Sequence, residues 1–529
     1  MILIIGNMNV LLNNKDKPIV IDNSNDKYKA IIIENLNKKQ LVAVDKITEF
    51  VSQDIDKMFY LLGYAGTGKT YLISKVIKHF LSIKKMNHIF VCAPTHQALQ
   101  NIGKYLRSNF TPAEQLDYLT KLSFMTIHKL LEFKPVIIAE DGSKVFKSTK
   151  ESKFLKQLED KLIIIDECSM ISKEMVTELI KYTEIYPIKV IFLGDPKQLS
   201  PVKEQESLIF QSIPENYKYH MVLDEIMRTK SPDIKEVCAI IRNWNQKDSL
   251  SKLLLSIYNR KTTAKTFRLY HKKTNILDTS WFKLFIQKID KNEIPIILVW
   301  KNNTADMYNT IIRKHIHETK DLDNYIVGDY VIFNDYYTSP EDATSFYTSN
   351  IIKILKITTE KKTLFDWGKI MIVEPKTIVD KGLNITLKKL SKLTNDFRVD
   401  SLTIERINYE MINATKDKTH LINTIHRDDL EEYHNMLEFV QNRMEFFFKK
   451  YKCEKMVSKL WDIFHKRLID PYAKINFSHS ITTHKAQGST FGSVIVDTQD
   501  ICENPDVNEL QKLLYTAAGR AADELAFLL

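Results

Sequence analysis

The sequence predicts an α/β protein, with parallel sheets flanked by helices and a β-rich segment inserted late in the chain. Three apolar runs support that expectation. Tyr60-Leu61-Leu62 runs into Gly63-Tyr64-Ala65-Gly66-Thr67-Gly68-Lys69-Thr70, and helical spacing follows at Leu72, Val76, Ile77 and Phe80. Leu162-Ile163-Ile164-Ile165 ends in Asp166-Glu167, and Val190-Ile191-Phe192-Leu193 ends in Gly194-Asp195-Pro196-Lys197-Gln198. Uninterrupted apolar runs of this length are how strands buried on both faces read. The polar residues that close them then lie where open α/β sheets bind ligands.

Composition narrows the class. The chain has 529 residues, 44% hydrophobic and 27% charged, which excludes collagen-like, low-complexity and largely disordered proteins. That length suggests about three or four domains. Glycine is scarce, at 13, so a local cluster of glycines marks a local demand. The net charge of +10 suits a polyanionic partner such as nucleic acid, and equally a lysine-rich proteome. Cys92, Cys168, Cys238, Cys453 and Cys502 are too widely spaced for a zinc ribbon, a redox pair or a disulfide framework. An intracellular protein is expected. The apolar opening Met1 to Ile5 is too short for a signal peptide and lacks a basic lead-in. No run approaches the roughly 18 apolar residues of a membrane helix.

The glycines do cluster. Residues 63–70 fit the phosphate-cradling loop GxxxxGK[ST]. Glycine lets backbone N–H groups close around phosphate oxygens, and the helix N-terminus adds partial positive charge. Gly63, Ala65, Gly66, Thr67, Gly68, Lys69 and Thr70 are therefore the expected ATP-binding segment. Lys69 would reach the β- and γ-phosphates, and the Thr70 hydroxyl would ligate Mg²⁺. Asp166 would hold Mg²⁺ through water, and Glu167 would orient and deprotonate the attacking water. Gln198 has the chemistry of a γ-phosphate sensor, a neutral amide able to position water. Taken alone, the Asp-Glu pair also fits a helix-capping acid, and Gly194-Asp195-Pro196 a plain turn.

In order and spacing these segments resemble the superfamily 1 helicases, and the resemblance runs along most of the chain. Leu36-Asn37-Lys38-Lys39-Gln40 is similar to the Q motif, in which Gln40 would bond the adenine edge. Cys92-Ala93-Pro94-Thr95-His96-Gln97-Ala98 resembles motif Ia, and Thr126-Ile127-His128-Lys129-Leu130 motif Ib. The resemblance makes both DNA contacts: Thr95 and Thr126 can bond phosphates, and Pro94 and His96 can stack on bases, with His128 beside them. Leu223 to Thr229 resembles motif IV, with Arg228 aimed at the γ-phosphate. Thr482 to Phe491 is similar to motif V, which implies DNA contacts at Thr483, His484 and Thr490 and an ATP contact at Gly488. Leu514 to Ala521 is similar to motif VI, which makes Arg520 a second arginine finger. Ala518-Gly519 departs from the family pattern in front of that arginine.

The text around motif V points to the RecD-like and Dda-like branch, superfamily 1B. The resemblance implies two RecA-like motor lobes with ATP and Mg²⁺ between them. It also implies 5′-to-3′ movement on single-stranded DNA and separation of tailed duplex. The chain is expected to act as a monomer, with a single-strand binding protein or replication and recombination proteins as candidate partners. Two alternatives stand beside this reading: an RNA or RNA–DNA helicase on the same motor, and a nucleic-acid-stimulated ATPase that does not unwind.

The expected organisation follows the motifs. Residues 1–35 form an N-terminal extension and 36–225 a first RecA-like lobe, with a hairpin inserted at 131–153. Residues 226–326 and 476–529 form the second lobe, and 327–475 a β-rich, SH3-like and helical insert. The hairpin is read from two short apolar runs around Asp141-Gly142. In the resembled family it is the duplex-separating pin, whose wedge would be Phe133 or Phe146; either fits a core aromatic equally well. Runs at Tyr330–Phe333, Ile351–Ile357, Lys369–Val373, Phe397–Ile404 and His420–Ile425 read as strands of the insert. Leu430, Tyr433, Leu437, Val440, Met444, Phe447 and Tyr451 then mark a long amphipathic helix. The chain closes soon after Arg520, so a short final strand is expected.

Overall fold

The computed structural model describes residues 2–5, 8–11, 19–21, 36–83, 88–111, 114, 120–137, 144–148, 161–201, 204, 206–260, 265–272, 275–319, 322, 324–348, 350–364, 396–407, 419–451, 461–462 and 464–529. Two compact units divide the chain: Met1–Glu132 with Glu151–Arg228, and Phe133–Lys150 with Thr229–Leu529.

The first unit opens with β1 (Ile2–Ile5), β2 (Met8–Leu11) and β3 (Ile19–Ile21), paired antiparallel. Helix α1 (Lys38–Ser52) follows. Its start is a capping box: Asn37 Oδ1 accepts from Gln40 N at 2.8 Å, and Gln40 Oε1 accepts from Asn37 N at 3.0 Å. Then come β4 (Met58–Gly63), α2 (Lys69–Ser82), β5 (Ile89–Ala93), α3 (His96–Asn109), β6 (Leu122–Thr126) and the short α4 (Ile127–Leu130). After the hairpin strands β7 (Phe133–Ile137) and β8 (Lys144–Ser148) come β9 (Lys161–Ile165), α5 (Lys173–Ile185), β10 (Ile188–Gly194) and β11 (His220–Leu223).

Six of these strands form one sheet in the order β11-β4-β10-β9-β5-β6, every pair parallel. The apolar runs lie in its middle, where both faces are covered, and Leu162 to Ile165 are wholly buried. Phe50 of α1, Phe59 of β4 and Tyr219 pack with ring centroids 5.3–6.2 Å apart. Large side chains buried like this contribute about 1.5–3 kcal/mol each. The register brings the strand ends level: Leu193 lies beside Leu61, Phe192 beside Ile165, Ile165 beside Cys92 and Ala93 beside Thr126. The segments that follow these strands share one edge of the sheet.

In the second unit β7 pairs antiparallel with β8, from Phe133 opposite Ser148 to Ile137 opposite Lys144. The turn joining them lies outside the described residues. A second parallel sheet is built from β12 (Phe267–Tyr270) and β13 (Ile296–Val299), with three strands that return from the chain's C-terminal end. Helices α6 (Pro232–Asn243), α7 (Ser280–Asp290) and α8 (Asn302–His317) belong to the same stretch.

The chain then leaves for an antiparallel insert. Its strands are β14 (Tyr330–Phe333), the short hairpin β15 (Tyr337–Thr338) and β16 (Ser345–Phe346), β17 (Ile351–Thr363), β18 (Asp396–Ile407) and β19 (His420–Ile425). Helix α9 (Leu430–Tyr451) follows, and β20 (Ile475–Phe477) closes the sheet in the order β19-β18-β17-β14-β20. The run expected as a strand at 369–373 lies outside the described residues. Because β20 pairs with β14, this sheet continues past residue 475, where the insert was expected to end.

The chain returns to the parallel sheet through β21 (Ser480–Thr482), α10 (Thr483–Ala486), β22 (Phe491–Asp497), α11 (Val507–Ala518) and β23 (Ala521–Leu528). The order is β12-β23-β22-β13-β21. The expectation of a short final strand is corrected here: β23 has eight residues and pairs on both sides, with β22 and β12. A buried ion pair joins insert to sheet. Arg313 of α8 donates from Nε and Nη2 to Asp329 at 2.9 and 2.8 Å, and to Leu322 O and Asn324 O at 2.8 and 2.7 Å. Its guanidinium carbon lies 3.6 Å from the Phe477 ring centroid.

Candidate active site

The glycine-rich loop bridges β4 and α2. Gly66 and Gly68 have φ of 78° and 79°, the left-handed region that costs other residues most. A Cβ on Gly66 would lie 2.6 Å from Arg228 Cβ, so the loop and the segment after β11 meet at a distance only glycine permits. Gly66 O also accepts from Met227 N at 2.6 Å and Arg228 N at 2.9 Å. Arg228 is thereby placed against the loop. Lys69 Nζ donates to Gly63 O at 2.7 Å and Tyr64 O at 3.1 Å, which fastens the ammonium across the loop. Thr67 is buried, its hydroxyl donating to Tyr64 O, and Ala65 is buried beside it.

The Gln40 amide sits under this loop. Nε2 donates to Thr67 O at 3.2 Å, while Oε1 completes the capping box. Gln40 is 2% exposed, with both ends of its amide engaged inside the protein. Gln40 clamps the loop to α1, and its amide keeps a second N–H and a second oxygen lone pair.

The acid pair lies at the end of β9. Thr70 Oγ1 donates to Asp166 Oδ2 at 2.9 Å. Asp166 is buried, and burial, reinforced by the neighbouring Glu167 charge, pushes its carboxyl up to about 6. Glu167 is half-buried with φ of 51°, a left-handed conformation that turns the chain sharply out of the strand. The donors suit a small hard cation. Mg²⁺ is typically held by one or two carboxylates, water and substrate phosphates, and Thr70 with Asp166 would supply the protein's share. Gln198 follows β10 on the same edge; it is buried, and its Nε2 donates to Asp195 Oδ2 at 3.3 Å.

Motifs Ia and Ib follow the neighbouring strands β5 and β6. Thr95 caps α3, accepting from Ala98 N, and Thr126 caps α4, accepting from Lys129 N. A capping hydroxyl keeps its own proton to donate, so neither bond conflicts with a phosphate contact. Pro94, His96 and His128 are half-buried. Burial, then the Lys129 charge, lowers the pKa of His96, and burial lowers that of His128. Both favour the neutral ring, better suited to stacking than to pairing with phosphate.

The second-unit residues divide. His484 is exposed and lies 3.3 Å from Glu509 Oε1, and Thr490 and Gly488 are half-buried. Thr483 is wholly buried, its hydroxyl donating to Val299 O at 3.2 Å, so the expectation of a DNA contact there is corrected. Arg520 is also buried, donating from Nε to Thr516 O at 3.1 Å and from Nη1 to Ser489 O at 3.2 Å. Gly519 has φ of −69°, which any residue adopts, so no backbone demand explains the glycine there. Phe133 is 5% exposed at the base of its hairpin, which removes it as a wedge. The Phe146 side chain lies outside the described residues.

Sequence reasoning missed two supporting residues. Asp195 is wholly buried and holds both Gln198 Nε2 and Lys197 N; its signal was its place in a Gly-Asp-Pro turn. Asn37 ties α1 to the segment after β11, donating to Glu225 Oε2 at 2.8 Å. Its signal was the spacing Asn-x-x-Gln of a capping box.

Known proteins share this arrangement in sequence. The family model described as an AAA domain matches residues 48–204, and that of the UvrD-like helicase C-terminal domain matches 477–528. Uncharacterized protein R530 of Acanthamoeba polyphaga mimivirus is 52% identical over 491 residues, 93% of this chain and 99% of that protein. The ATP-dependent DNA helicase Dda of Enterobacteria phage T4 is 24% identical over 88% of this chain and 93% of its own length. Among solved structures, the Pif1 helicase from Candida albicans aligns over 93% of this chain and 94% of its own, with TM-score 0.46 and 16% identity. Among the described residues no helix is long and apolar enough to cross a membrane. The chain belongs to the superfamily 1B helicases, as a relative of Dda, RecD and Pif1.

Proposed function

We propose that this protein is an ATP-dependent DNA helicase that moves 5′-to-3′ along single-stranded DNA and separates duplex. One observation carries the reading: a single edge of the six-stranded sheet holds the residues assigned to both roles. Lys69, Thr70, Asp166, Glu167 and Gln198 follow β4, β9 and β10, while Thr95 of motif Ia follows β5 and Thr126 of motif Ib ends β6. Each strand is hydrogen-bonded to the next, so a change at the nucleotide loop is passed to the DNA-facing loops through rigid elements.

The steps follow from side-chain chemistry. The loop amides and Lys69 bind the phosphates. Thr70 and Asp166 would hold Mg²⁺, which would supply charge neutralisation. Glu167 orients water and takes its proton, and Gln198 positions that water. Arg228, packed on the loop, meets charge developing on the transferring group. Arg520 enters as a second arginine finger on motif resemblance, and so do the polarity and the preference for DNA.

Unwinding of matched DNA and RNA duplexes with 5′ or 3′ tails tests the proposal. Strand separation that requires ATP, DNA and a 5′ tail is expected. A requirement for a 3′ tail refutes the polarity, and equal or better unwinding of RNA refutes the substrate.

A further inference from the structure

We infer that the β-rich insert carries its own base-stacking site for single-stranded DNA, on the outer face of the β15–β16 hairpin. This rests on the helicase reading above and adds a contact outside the motor motifs. Side chains alternate across a hairpin. Tyr337 and Phe346 turn inward, 3% and 0% exposed. Tyr336, Thr338, Ser345 and Tyr347 take the other face. Tyr336 is 58% exposed, a large aromatic surface turned to solvent. Its ring does not swing freely: Tyr336 Oη accepts from Thr338 Oγ1 at 2.8 Å and lies 2.9 Å from Ser345 Oγ. The Tyr347 ring backs it, centroids 5.5 Å apart and tilted by 41°.

Position favours a nucleic-acid strand as occupant. The loop that presents Tyr336 is fixed to motif V, since Lys485 of α10 donates to Asn334 Oδ1 at 2.8 Å. Asp335, the carboxylate nearest in sequence, is paired with Lys474 at 3.1 Å, so it does not stand as a bare charge against a phosphate backbone. A pre-fixed tyrosine pair held beside motif V matches one half of how sequence-tolerant single-strand sites are built, the rings that take base faces.

The test uses the full chain and fluorescein-labelled oligothymidylates of increasing length, read by fluorescence anisotropy. On oligomers long enough to reach the insert, Tyr336→Ala is expected to weaken binding about tenfold. Tyr336→Phe, which keeps the ring, is expected to stay within about twofold. The shortest oligomers that bind should not distinguish the variants, and matched thermal unfolding confirms that each is folded. Wild-type affinity in Tyr336→Ala at every length overturns the inference while leaving the helicase reading intact. Equal losses in Tyr336→Ala and Tyr336→Phe overturn the stacking role. Failure of the wild type to bind any oligomer overturns the helicase reading itself.

Discussion

Replacing Asp166 with asparagine should stabilise the ligand-free protein at neutral pH while abolishing ATP hydrolysis. The carboxyl ionises near 3.8 when unfolded and at about 6 when folded. Between those values the folded state holds the extra proton, so its stability falls as pH rises through that window. The contribution is complete below the lower value and lost above the upper one. At about 1.36 kcal/mol for each tenfold change in acidity, the loss is about 3 kcal/mol. Asparagine has no charge to bury. It does place an NH₂ group against one of the two donors that Asp166 accepts from, Thr70 Oγ1 and Glu167 N, and losing that bond costs about 1 kcal/mol. The net gain is about 2 kcal/mol at about pH 8, worth about 4–8 °C in a unit of this size. Calorimetric melting of both proteins, free of nucleotide and Mg²⁺, at about pH 5 and about pH 8 measures it. The variant's advantage should widen with pH, and added Mg²⁺ should narrow it. Parallel melting across that range refutes the assignment of a buried, charge-strained carboxylate.

Three further outcomes follow from the same geometry. Lys69→Ala should lower ATP turnover at least about a hundredfold while single-strand affinity stays within about twofold, as parallel ATPase and anisotropy measurements would show. Gly66→Ala puts a Cβ 2.6 Å from Arg228 Cβ at a left-handed φ, so it should cost about 1–3 kcal/mol in urea unfolding and remove nucleotide binding by calorimetry. Replacing residues 133–148 with a short linker should leave DNA-stimulated ATPase intact and abolish strand separation on a forked substrate; undiminished unwinding would show that the hairpin is not the pin.

What was legible in the sequence was what local pattern can carry. Ile163 to Ile165 and Val190 to Leu193 read as central strands because both faces are covered, which leaves no polar alternation to confuse them. The loop at 63–70 read as a phosphate site because glycine is scarce elsewhere. Strand β20 was missed because three residues are too few for a period to register. The final strand was misjudged from the nearness of the chain end, although Leu525 to Leu528 is itself a buried run. Thr483 was misplaced for a different reason. It is a polar residue in a motif, and only tertiary packing decides whether its hydroxyl goes to a ligand or to a carbonyl such as Val299 O.

Anyone exchanging the β-rich insert between relatives will meet the Arg313 joint first. The arginine and Asp329 are 2% and 1% exposed, and the same guanidinium grips the incoming linker at Leu322 and Asn324 and stacks on Phe477 of the outgoing strand. Cut points at 327 and 475 would separate Arg313 from its buried counter-charge, and stranding one member of such a pair typically costs about 3–5 kcal/mol. A graft that begins before Leu322 and ends after Phe477 carries both contacts, provided the recipient has an arginine at the Arg313 position. The exchangeable module is therefore defined by a charge and a ring rather than by the ends of its sheet.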